Sequence, residues 1–160
     1  MRKVVVNTTP IISLGNVAHL HIFRMLYGQI TIPHAVFREA MAKDDFAFYQ
    51  LLKNLDWIKL EECPKFNREE FNKNLHVGEI EAIVLAQNLN ADLIILDDNN
   101  ARKAAKNLGL TITGTVGVLL KAKHCGILSD VKTLIQEMRD NGFHLSDKIL
   151  NTVLQEAGET

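Results

Sequence analysis

Only two of the 160 residues are cysteine, Cys63 and Cys125, and they stand in no CxxC spacing. A disulfide framework and a cysteine-held zinc site are therefore not expected, and reduced thiols are the default for such a pair. Six histidines are scattered along the chain. None forms HExxH, which removes that metalloprotease motif. His19 and His21 are two apart, a spacing that puts them on opposite faces of a helix. No apolar run approaches the roughly 18 residues of a membrane span. The N-terminus enters an apolar strand after Arg2 and Lys3, without the longer apolar stretch and cleavage site of a secretory signal. A cytoplasmic protein is expected. No GxGxxG or GxxxxGK[ST] follows a strand-like run, which speaks against a dinucleotide or P-loop nucleotide enzyme. No GxSxG is present, so serine hydrolysis has no support. An excess of one charge is also lacking. Lys plus Arg number 18 and Asp plus Glu 19, a formal net charge of −1. That balance argues against a histone-like binder while leaving room for a local basic patch.

What is present fits one ordinary domain over residues 1–160. A chain of this size buries about 70% of its unfolded surface. Hydrophobic residues make up 47% and charged residues 23%, close to the soluble globular mean. Val4-Val5-Val6 reads as a first strand, Ile30-Thr31-Ile32 as a second and Trp57 to Leu60 as an edge strand. Leu93-Ile94-Ile95-Leu96 is a continuous apolar run suited to a sheet covered on both faces. Leu110 to Thr113 is the last strand. Helical patterns lie between the strands. Thr9 is the expected N-cap of the first, with Pro10 at its first position. The next runs from about Ala18 to Tyr27, and Pro33 opens another that carries Glu39. Residues 46–54, 79–89 and 101–108 follow, with a short helix at 68–75. The tail is helical, at 116–124, 131–139 and 147–156. Alternating strands and helices predict an α/β fold, a three-layer α/β/α sandwich with a mainly parallel central sheet.

In open α/β sheets, ligands bind beyond the carboxyl ends of the strands. Asn7 and Thr8 follow the first strand, and Asp97 and Asp98 follow the apolar strand at 93–96. Adjacent carboxylates repel unless a cation or solvent offsets them. Mg²⁺ is one solution, because it takes oxygen ligands and uses one or two protein carboxylates. Capping of the next helix is the alternative, although one N-cap needs one side chain. Glu79 and Glu81 open the helix after Gly78, where acids also suit the positive end of the helix dipole. Two residues apart, they point about 200° away from each other. Glu39 is the single acid between Pro33 and Met41.

The order of these segments carries more than any one of them. Val5-Val6-Asn7-Thr8-Thr9-Pro10-Ile11-Ile12 comes first, followed by a helix with Glu39. Gly78-Glu79-Ile80-Glu81-Ala82-Ile83, then Leu93-Ile94-Ile95-Leu96-Asp97-Asp98, then Gly114-Thr115-Val116-Gly117 complete it. From Val4 to about Leu120 the chain resembles the PIN-like domain family, which includes VapC-type toxin ribonucleases. The resemblance implies a pocket of acids that binds Mg²⁺ or Mn²⁺ for phosphodiester hydrolysis, leaving a 5′-phosphate. By position, the implied metal ligands are Asn7, Glu39, Glu81, Asp97 and Asp98, and the implied catalytic residues are Glu39, Glu81 and Asp98. Glu81 matches the acid-Ala step of the family better than Glu79. Thr8, Thr9, Glu79, Asn99 and Asn100 are supporting candidates. Arg102, Lys103, Lys106, Lys121 and Lys123 are candidates for binding a nucleic-acid backbone. Asn7 departs from the family's usual Asp. Its amide oxygen can ligate a hard cation but brings no charge. The resemblance further implies RNA or DNA as ligand, a homodimer, and a small antitoxin protein as partner. A PIN-like binding protein without catalysis is the alternative that Asn7 raises.

Overall fold

The computed structural model describes residues 2–35, 38 and 46–159. Among them, five strands form one sheet: β1 (Val4–Val6), β2 (Ile30–Pro33), β3 (Ile58–Glu61), β4 (Leu93–Ile95) and β5 (Ile112–Thr113). Their order is β3-β2-β1-β4-β5 and every pairing is parallel. The chain leaves β1 toward one edge through β2 and β3, then returns to β4 and β5 on the other side. The reversal lies between β1 and β4, where Val5 pairs with Ile94. A crevice at the carboxyl ends of these two strands follows from that topology.

Alternation of side chains along each strand divides the core in two. Val4, Val6, Ile30, Ile32, Leu93 and Ile95 point to one face. There they meet α1 (Thr8–Gly15), α2 (His21–Tyr27) and α3 (Phe46–Asn54), which bring Ile11, Phe23 and Leu52. Val5, Ile94 and Leu96 point to the other face, against α4 (Val77–Asn88) and α5 (Asn99–Asn107). The expected three-layer α/β/α sandwich is the observed one. The tail helices α6 (Thr115–His124), α7 (Val131–Asp140) and α8 (Asp147–Glu156) join the first face. Val118, Leu119, Leu134, Ile135 and Met138 are buried there. Among the described residues, no helix is long and apolar enough to cross a membrane.

Several local readings shift. Helix α1 starts at Thr8 with Asn7 at the N-cap, not at Pro10 with Thr9. Proline fits anywhere in a first turn, because those N–H groups have no intrahelical partner. Pro33 closes β2 opposite Glu61, and the helix expected from Pro33 opens just after it, with Ala35 and Arg38 helical and Arg38 N donating to the His34 carbonyl at 3.2 Å; Glu39 itself lies outside the described residues. Only a 3-10 turn, Arg68–Glu70, forms in the 68–75 region. His19 precedes α2, so the His19 and His21 rings approach to 5.4 Å and do not lie on opposite helix faces.

Candidate functional site

The carboxyl ends of β1 and β4 open into a cleft made of two adjoining cavities. The first, of about 500 Å³, is lined by Asn7, Thr8, Arg38, His76, Glu79 and Glu81 among others. The second, of about 530 Å³, includes Asp97 and Asp98 in its wall. Thr9, His76 and Glu79 line both. The sheet topology thus brings Asn7, Thr8, Thr9, Glu79, Glu81, Asp97 and Asp98 to one cleft. Asn99 and Asn100 begin α5 beside it.

Asn7 is the last residue before α1, and its N–H donates to the Ile95 carbonyl at 3.1 Å. That bond ties the end of β1 to β4. The residue is 5% exposed, and its side-chain oxygen accepts no hydrogen bond among the described residues. A buried amide oxygen left so costs about 1–3 kcal/mol unless water or a cation meets it.

Asp97 and Asp98 divide between two helices. Asp98 caps α5, its Oδ2 accepting from Ala101 N at 3.0 Å. Asp97 reaches across to β5 and the start of α6. There Thr115 N donates to its Oδ1 at 2.7 Å and the Thr115 hydroxyl to its Oδ2 at 2.6 Å. Each carboxylate lies at the positive end of a different helix, which eases their adjacency. Gly114 makes the Asp97 contact possible. A Cβ there would lie 2.7 Å from Arg102 Nη1 and 3.0 Å from Asp97 Oδ1. From the sequence, Thr115 stands out only as a member of the Gly114-Thr115-Val116-Gly117 segment. The clue to its role is the register of β4 on β5, which sets Ile95 beside Thr113 and so aligns the residues that follow.

Glu79 and Glu81 separate in environment. Glu79 is 9% exposed and lies where the two cavities meet. Glu81 Oε2 accepts from Arg38 Nη2 at 2.5 Å. It also lines a side cavity with His34 and Cys63. Burial and the Glu81 carboxylate push the Cys63 thiol up to about 11, with Arg38 pulling the other way. Arg38 and His76 also line the cleft and were not singled out from the sequence; neither stands at a strand end, the position that drew attention to the acids.

A family model described as a PIN domain matches residues 3–159. The chain belongs to the PIN domain family. A PilT N-terminus domain protein from the archaeon Sulfolobus solfataricus P2 is similar in structure, with a TM-score of 0.52 and 19% sequence identity, over 74% of this chain and 92% of its own. That likeness shows the fold. No curated protein sequence matches.

PIN domains use divalent metals, and the donors of this cleft suit such an ion in kind. They are oxygens, the ligands of hard cations. One is the unpartnered amide oxygen of Asn7, and another belongs to the buried Glu79. Among the described residues, no three His, Cys, Asp or Glu side chains are grouped to hold a metal by themselves. Mg²⁺ does not require such a cage, because it keeps several waters. The basic candidates of this PIN domain scatter. Arg102 is half-buried beside Gly114, and Lys103 and Lys106 are exposed on α5. Lys121 lies over the Tyr27 ring at 5.0 Å. Lys123 pairs with Glu159 at 3.3 Å and donates to the Ser129 carbonyl at 2.6 Å. None of the five lines either cavity.

Proposed function

We propose that this PIN domain is a metal-dependent ribonuclease that hydrolyses phosphodiester bonds at the β1–β4 cleft. The observation that carries the reading is the buried Asn7 oxygen, which has no hydrogen-bond partner among the described residues, in a cavity wall that also holds Glu79. Asn7 and Glu79, with Glu39 by family resemblance, would hold Mg²⁺ or Mn²⁺. When bound, such a cation neutralises phosphoryl charge and makes water a better nucleophile. The chain's own residues do the rest. Asp98 commits one oxygen to its helix cap, and the other would orient or deprotonate a water. Thr115 holds Asp97 in place, and Arg38 holds Glu81. Assembly as a homodimer and pairing with a small antitoxin protein belong to the same proposal.

Purified protein should cleave single-stranded RNA in Mn²⁺ or Mg²⁺ and stop on chelation. Glu79→Gln should lower the rate at least 100-fold. Asp98→Asn should do the same while keeping the helix cap, since Asn caps as well as Asp. Asn7→Asp should tighten Mn²⁺ binding at least tenfold by calorimetry. Inactivity with both metals across a broad RNA panel would sink the nuclease reading.

A second reading, RNA binding without cleavage, draws on the neutral Asn7 and on the carboxylates already engaged by Thr115 and Arg38. It expects RNA affinity with no saturable Mn²⁺ uptake.

A further inference from the structure

We infer that the second cavity of the cleft is a nucleobase subsite, which reads the base next to the scissile phosphate. This rests on the ribonuclease reading and deepens it. Thr9, Ile12 and Ser13 of α1, with Asn16 at its C-cap, line one wall. Their spacing of i, i+3, i+4 and i+7 makes them a single stripe along the helix. Facing that stripe is the turn from α7 to α8, with Asn141, Phe143 and His144.

The turn is held in shape from within. Phe143 N donates to the Met138 carbonyl at 2.9 Å, and the Asn141 amide nitrogen donates to the Glu137 carbonyl at 2.8 Å. Gly142 has φ +98°, a conformation that favours glycine. Phe143 is half-buried and packs on the core, while His144 is exposed.

The chemistry of these walls selects the ligand. Among the described residues no Lys or Arg lines the cavity, so it is no track for a phosphate backbone, which needs cations. Its charged residues are Glu79, Asp97 and Asp98, at the end shared with or next to the proposed metal site. The remainder offers hydroxyls, an oriented amide and aromatic rings. Uncharged flat rings with donor and acceptor edges match that set, and unstacked RNA bases are recognised in this way. A volume of about 530 Å³ lies within the ordinary range for a small-ligand pocket. Because Thr9, His76 and Glu79 border both cavities, one RNA strand can place its phosphate at the first and the neighbouring base in the second.

The test is binding of 5′-labelled single-stranded octamers of adenosine, cytidine and uridine, read by fluorescence anisotropy in chelator. The wild type should rank them with at least a tenfold spread in affinity. The double variant Asn141→Ala/His144→Ala should compress that spread to within about threefold. Asn16→Trp, which fills the groove from the opposite wall, should weaken the preferred octamer about tenfold. Melting curves show which variants remain folded, and the two walls provide independent readouts. Binding with the wild-type ranking and affinities intact in both variants overturns the subsite and leaves the RNA reading standing. No binding of any octamer by the wild type in chelator, together with no cleavage of them in Mn²⁺, overturns both; cleavage in Mn²⁺ without such binding overturns the subsite alone.

Discussion

Cys63 reports on the charge at the edge of the cleft. Its thiol is held at about 11 by burial first and by the Glu81 carboxylate second, against the pull of Arg38. Thiolate is the reactive form, so a thiol held this high reacts slowly near neutral pH. Cys125 is exposed. At pH 8, a disulfide reagent should modify Cys125 at least tenfold faster than Cys63, as mapped by mass spectrometry. Glu81→Gln removes one of the two causes and leaves Arg38 to favour the thiolate. Labelling of Cys63 should then accelerate several-fold, with Cys125 unaffected. An unchanged labelling rate of Cys63 in Glu81→Gln would show that Glu81 does not act on it. The same residue scale explains what the sequence could and could not show about the site. Asn7, Asp97 and Asp98 are legible because each follows an apolar run, and strand ends are where α/β sites gather. The hold of Thr115 on Asp97 spans 18 positions. No local pattern announces a bond across two strands. Asp97 and Asp98 seemed too many for one cap; they are one cap for each of two helices.

At the scale of elements, the start of α7 shows how far capping reaches. Asp130 is its N-cap and accepts from Thr133 N at 3.3 Å and from the Thr133 hydroxyl. Glu159, at the far end of the chain, accepts from Val131 N at 2.8 Å and Lys132 N at 3.0 Å. The hydroxyl of Thr133, donating to it, holds the Asp130 carboxyl down to about 2. A carboxyl lowered on folding stabilises the protein above its unfolded value, near 3.8, and that contribution fades as pH falls through 2. Asp130→Asn keeps a capping side chain but removes the charge. The melting temperature of the variant should therefore lie below that of the wild type at pH 7, and the gap should close between about pH 4 and pH 2. A gap that stays constant over that range would exclude the charged cap. Where a cap or a periodic run dominates, the sequence expectation and the structure agree: α3 and α8 span 46–54 and 147–156 in both. Helix α2 begins three residues later than expected, at His21. The cause is Ala18, which turns the chain at φ +58°. Alanine is a strong helix former and gives no sign of that conformation.

At the scale of the molecule, the tail helices are part of the core and not an appendage. One sheet face is covered by α4 and α5, the other by α1, α2 and α3 together with α6, α7 and α8. Val131, Leu134, Ile135, Met138 and Val153 are all at most 4% exposed. Burying a side chain of this size contributes about 1.5–3 kcal/mol. The five together reach about 10 kcal/mol, which is comparable to the whole stability of a typical domain. Truncation after Asp130 would remove them, along with Glu159, and would expose Val118, Leu119 and Ala122 on α6. The second cavity would lose its Phe143 and His144 wall at the same time. The shortened chain should therefore lose its near-UV circular dichroism, bind a hydrophobic dye and aggregate. Met138→Ala in the full chain should cost about 2–5 kcal/mol in urea unfolding and still leave a cooperative transition. A shortened chain that melts cooperatively near the temperature of the full one would mean that the sheet and helices α1 to α6 hold together alone. The tail would then serve the cleft rather than the fold.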